Sequence, residues 1–263
     1  MTLVIAVVWG KGVLVTSDSR ASSGYVYHEE RKIYPVYFYL NGEELDLAVL
    51  AGSGDSAIVK QGFQIANNVF RNWFEEVGKV EERNPNEDEM DKIVNEIERR
   101  LMRRYRELRS YGVEPSSSML LASVTQEGNP ILYKFDNRGI AEPMHENPGY
   151  ALLGKGVITG GLLLLRLLDY RTEEDWDMGT LSAFLIDTVS EVDPSVSPFL
   201  GESVYIRYEN NRVRMGPLKD EAFKEFKEKV RMRREAIKLL WRVLEKIGEE
   251  EVLKVLNGML KGE

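Results

Sequence analysis

Apolar residues in this chain change their spacing in blocks, and the order of those blocks limits the fold. Residues 3–8 and 13–17 are β-rich and nearly continuously apolar, with Gly10-Lys11-Gly12 between them. Two such runs around a glycine-containing turn read as a hairpin whose strands are covered on both faces. Residues 32–40 and 45–51 follow as two more strands about the Asn41-Gly42 turn. The period then becomes helical. Ile58, Gly62, Ile65, Ala66, Val69, Phe70 and Trp73 mark one helix. After a polar loop at 81–89, Ile93, Ile97, Leu101, Tyr105 and Leu108 mark a second. Strands return at 119–124, 130–135, 139–144 and 150–153. A buried apolar helix is expected over 159–168 and another over about 178–189. A last hairpin, 203–208 with 212–215, carries Asn210-Asn211 at its tip. Strands, two helices, strands, two helices, strands: this grouping predicts an α+β fold with stacked sheets and helices outside them, not an alternating parallel sheet.

The C-terminal segment stands apart. Phe223, Phe226, Val230, Ile237, Leu240, Leu244 and Ile247 follow alternating three- and four-residue steps, interrupted at Arg233. That is a heptad-like seam. Gly248 breaks it, and Val252, Val255, Leu256 and Leu260 suggest a short final helix. The expected division is therefore a main domain, 1–216, and a helical extension, 217–263. The extension either packs back on its own domain or docks a partner or second copy.

Composition removes several function classes. The net charge of −8 opposes a phosphate backbone, so nucleic acid is not an expected partner. Arg99, Arg100, Arg103, Arg104, Arg106 and Arg109 crowd the second helix, which reads as a solvated face or subunit contact. With no cysteine, disulfides and thiolate chemistry are excluded, and two histidines leave little for a metal site or a Ser-His-Asp triad. No cofactor or metal is expected. The N-terminus lacks a basic stretch followed by a long apolar core, and no apolar run approaches bilayer length. The expectation is a cytoplasmic protein with no membrane partner. Its 30% charged content points to a thermophilic source.

Thr2 follows the initiator directly. Removal of Met1 would give one residue both a hydroxyl nucleophile and an α-amine with a reference pKa of about 8, able to act as its base. Met-Thr alone is common and says little. Its companions are more informative: Asp18-Ser19-Arg20-Ala21-Ser22-Ser23-Gly24 after the first hairpin, Lys32-Ile33 beyond it, and Ala51-Gly52-Ser53-Gly54-Asp55 between a strand and a helix.

In these motifs, their order and their spacing, the chain resembles the β-type subunits of the proteasome, of archaeal or bacterial type, within the N-terminal-nucleophile hydrolases. The resemblance runs from Thr2 to about Met215 and leaves out the C-terminal helices. It implies a four-layer αββα sandwich, a threonine-type peptidase or amidohydrolase acting on peptide or protein substrates, and a homo-oligomer, ring or smaller. It makes Thr2 the nucleophile with its freed amine as base. Asp18 and Lys32 match the family's acid and lysine, Arg20 its bracing arginine, and the Gly52 N–H its oxyanion donor. Supporting positions match less closely. Lys155, in Gly154-Lys155-Gly156, stands where the family has Gly-Ser-Gly. Asp193 fits the late acid, and Ser197 is the nearest serine in a proline-rich stretch. With no segment preceding Met1-Thr2, activation would fall to an aminopeptidase. Two alternatives stay open: a transpeptidase or ligase using the same acyl-enzyme, and a catalytically inactive structural or regulatory subunit.

Overall fold

The computed structural model describes residues 3–23, 26–29, 31–172, 176–198, 200–218 and 220–261. The chain divides into two compact units, Met1–Lys219 and Asp220–Glu263.

In the first unit, β1 (Val4–Trp9) and β2 (Gly12–Asp18) form the expected antiparallel hairpin, with Val4 opposite Ser17 and Trp9 opposite Gly12. β10 (Tyr150–Leu153) pairs with β1, and β11 (Leu200–Glu209) pairs with β2 before turning back into β12 (Arg212–Pro217). The result is a five-stranded antiparallel sheet of order β10-β1-β2-β11-β12. A second antiparallel sheet runs in chain order: β5 (Ile33–Leu40), β6 (Glu43–Gly54), β7 (Ser117–Val124), β8 (Pro130–Phe135) and β9 (Ala141–Pro143). Sequence did not announce the small ribbon of β3 (Arg20–Ser23) and β4 (Val26–Glu29), because its polar residues carry no two-residue apolar alternation.

Alternation along β1 explains its unbroken apolar run. Val4, Ala6 and Val8 share a core with Val49, Ala51, Leu120 and Ala122 of the second sheet. Ile5 and Val7 belong to another core, with Leu165, Leu181, Leu185 and Val189. A strand buried on both faces has no polar side to show. The third core joins Leu47, Leu50, Met119 and Leu121 to helices α1 (Ser56–Trp73) and α3 (Glu87–Ser110), through Phe63, Phe70, Ile97 and Leu101. α1 continues through a π turn, Phe74–Gly78, into the single turn α2 (Lys79–Glu81). α3 begins before the end of the expected loop, because Asn86 and Glu89 cap it reciprocally, each side chain bonding the other's N–H.

The helix expected as one buried piece over 159–168 is a correction. A π turn, Val157–Gly161, is non-helical at Gly160 (φ 157°, ψ −21°) and leads into the six-residue α4 (Leu162–Leu167). Leu165 is buried, whereas Ile158, Leu163 and Leu167 are 90%, 69% and 75% exposed. One face of a short helix meets the core; an apolar sequence on the other faces does not bury them. α5 (Met178–Val192) packs more fully, with Asp177 capping its N-terminus through the Thr180 N–H.

The second unit consists of α6 (Asp220–Ile247) and α7 (Glu249–Lys261), separated at Gly248, whose φ of 99° ends α6. Among the described residues no helix is long and apolar enough to cross a membrane.

Candidate active site

The site is built at the end of the first hairpin. Asp18 closes β2 and is fully buried. The β1–β2 pairing extends one step past Val4, since the Asp18 N–H donates to Leu3 O at 3.1 Å. The Leu3 N–H in turn donates to Asp18 Oδ1 at 2.9 Å. Lys32, also buried, directly precedes β5 and sends Nζ to the same Oδ1 at 2.6 Å and to the Asp18 carbonyl at 2.9 Å. The Ser197 N–H reaches Oδ2 at 3.1 Å. Both carboxylate oxygens are therefore occupied, one by an ammonium. A carboxylate taken fully out of water needs such partners to offset its lost hydration.

Asp18 and Lys32, which the resemblance singles out, lie together here, and Ser197 joins them through its backbone. The Ser197 hydroxyl meets a different group, accepting from Ser19 Oγ at 3.0 Å. Asp193 lies in a second cluster. Its Oδ1 accepts from the Ser195 N–H at 2.9 Å and hydroxyl at 2.5 Å, and its Oδ2 accepts from Thr159 Oγ1 at 3.0 Å. Burial alone would push this carboxyl up. The bonds from Ser195 and Thr159, with the Lys155 charge nearby, hold it below the usual carboxylate range instead. The Val196 N–H donates to the Asp193 carbonyl at 3.0 Å, so the turn after α5 carries the chain from Asp193 to the Ser197 amide that meets Asp18. Lys155 itself is exposed.

Gly52 lies on β6 where the strand passes close to α1. A Cβ there would meet Val59 Cγ1 at 2.3 Å and Phe63 Cζ at 3.0 Å, so the close approach demands glycine. Its N–H, expected at an oxyanion, is donated to Lys32 O at 3.2 Å as a bond between the two segments. Thr2 and the side chain of Arg20 lie outside the described residues.

Four participants were not singled out from sequence: the Leu3 N–H, Ser195, Thr159 and Glu202. Ser195 had a signal, because an Asp two residues before it favours a local Asx turn. Thr159 is 34 residues from Asp193, and nothing local announces that bond. Glu202, whose Oε2 accepts the Lys32 N–H at 3.0 Å, reaches the site through the pairing of β11 with β2.

No protein-family model matches the chain, and no curated protein matches it in sequence. Solved structures do match its fold. They include the Gly-1 mutant of Anbu from Hyphomicrobium sp. strain MC1, with a TM-score of 0.68 and 15% identity, covering 95% of this chain and 100% of that one. Anbu from the same strain gives 0.63 and 16%, covering 94% and 98%. Anbu from Yersinia bercovieri, described as an ancestral beta-subunit, gives 0.67 and 14%, covering 91% and 96%. At these identities the likeness is one of fold, and it extends over nearly the whole chain.

Proposed function

We propose that this protein is a threonine-nucleophile amide hydrolase of proteasome type, activated by removal of Met1. One observation carries the reading: a buried Lys32–Asp18 pair bonded to the Leu3 amide, the nitrogen that joins Leu3 to Thr2. A plain structural pair could sit anywhere in the core; this one is tied to the residue after the candidate nucleophile. The fold of Anbu, called an ancestral beta-subunit in one of its structures, supports the same reading. The three apolar cores are in this view the interfaces of a four-layer αββα sandwich.

In the proposed reaction, the Thr2 hydroxyl attacks the scissile carbonyl and its proton passes to the free α-amine. The positive charge of Lys32 lowers the hydroxyl's proton affinity, and Asp18 keeps that lysine charged and oriented. Collapse of the tetrahedral intermediate breaks the C–N bond, and the leaving amine takes a proton from the α-ammonium. Water, deprotonated by the same amine, then hydrolyses the acyl ester. Asp193, Ser195 and Ser197 would line the amine's side of the site, and Lys155 would tune it through Asp193. For an oxyanion to use the Gly52 N–H, that donor must exchange Lys32 O for substrate. The present bond to Lys32 O is the one observation favouring a second reading, an inactive subunit.

Hydrolysis of fluorogenic peptides by protein beginning at Thr2 tests the proposal. Activity lost in both Thr2→Ala and Lys32→Ala is expected. Undiminished hydrolysis by Thr2→Ala would overturn it.

A further inference from the structure

Two consecutive backbone N–H groups, those of Lys32 and Ile33, donate to one oxygen, Oε2 of Glu202, each at 3.0 Å. Ile33 opens β5, the edge strand of its sheet, which among the described residues pairs with β6 alone and so leaves its outer N–H groups without a neighbouring strand. Successive N–H groups turned the same way make a small concavity for an anion, and here a side-chain carboxylate fills it. The other oxygen, Oε1, lies 3.4 Å from Arg31 Nε. Arg31 Nε also donates to Ile33 O at 3.0 Å. Glu202 sits where the β11–β2 register shifts, between Leu200 opposite Asp18 and Glu202 opposite Ser17. That irregularity brings a β11 carboxylate to the segment that carries Lys32.

We propose that Glu202 is a positioning residue for Lys32, clamping the 31–33 backbone to β11 so that the lysine Nζ stays on Asp18. The physical need is specific. A lysine side chain has a flexible four-carbon stem, so fixing its Nζ within bonding distance of Asp18 requires its Cα to be fixed first. The Gly52 N–H secures the carbonyl side of Lys32, and Glu202 secures the amide side. Catalytic relevance rests on the function proposed above; the clamp itself does not.

Two readouts separate these. The first is the rate at which a threonine-reactive epoxyketone labels protein beginning at Thr2, followed against pH. Glu202→Ala should slow labelling roughly tenfold or more, the scale on which a misplaced catalytic group costs rate, and should alter the pH profile. Glu202→Gln keeps an oxygen for both N–H groups and should restore most of the rate. The second readout is hydrogen exchange at the Lys32 and Ile33 amides, which needs no activity. Protection should be lost in Glu202→Ala and kept in Glu202→Gln. If the wild type is not labelled, the hydrolase reading fails and exchange alone decides the clamp. Unchanged exchange in Glu202→Ala, or unchanged labelling and pH profile in that variant, overturns the proposal.

Discussion

At the scale of single residues the candidate site depends on Asp18, whose carboxylate receives the Leu3 amide, the Ser197 amide and the Lys32 ammonium. Removing one partner of a buried pair leaves the other charge uncompensated, at a cost of about 3–5 kcal/mol. Asp18→Ala should therefore lower unfolding stability by that amount in urea titrations. A loss below about 1 kcal/mol, the worth of an exposed pair, would mean that Lys32 is solvated. Asp193 makes a prediction about pH. Its carboxyl is depressed in the folded state, so its stabilisation is complete above the ordinary carboxylate range, about pH 4, and disappears as pH falls through the lower folded value. Asp193→Asn should flatten that part of the acid limb of a Tm-against-pH curve, and an unchanged limb would contradict the assignment. Asp18 and Lys32 were legible because each falls in a short motif at a strand end that carries the resemblance to the proteasome β-type subunits. Thr159 and Glu202 stayed hidden, because what each meets is decided by tertiary pairing across 34 and about 170 residues.

At the scale of elements, boundaries follow from caps and close approaches. Asn86 accepts the Glu89 N–H while the Glu89 side chain accepts the Asn86 N–H. Asn86→Ala should cost about 1 kcal/mol, as loss of an N-cap does, and calorimetry would show the shift. Gly52→Ala forces a methyl into Val59, and overpacking of this kind costs typically about 1–3 kcal/mol. A variant as stable as the parent would show that β6 and α1 are not in close contact there. α1 and α3 were readable because their apolar period was long and clean, and β1, β2 and β10 because each is an apolar run beside a glycine-containing turn. The 159–168 segment was misread because composition reports apolarity without saying which faces the fold covers. Leu165 meets the core and Leu163 does not.

At the scale of the molecule, the two units pose different questions. The first carries the site. The second exposes apolar side chains on both its helices, Ile237 and Trp241 on α6 and Met259 on α7, with Trp241 67% exposed. Contiguous apolar surface of more than a few hundred Å² is uncommon on soluble monomers. If the homo-oligomer implied by the proteasome resemblance forms through this unit, Trp241→Glu should shift the sedimentation distribution toward smaller species, and an unaltered distribution would remove α6 from such an interface. The heptad-like seam made this segment legible as helix, but periodicity names no occupant for an apolar face.

In the proposed hydrolase, Thr2 becomes the nucleophile once Met1 is gone. Intact mass of protein beginning at Thr2, before and after exposure to a threonine-reactive epoxyketone, tests it most directly. One adduct per chain is expected, absent in Thr2→Ala and strongly reduced in Lys32→Ala. A free Thr2 with no adduct would contradict it.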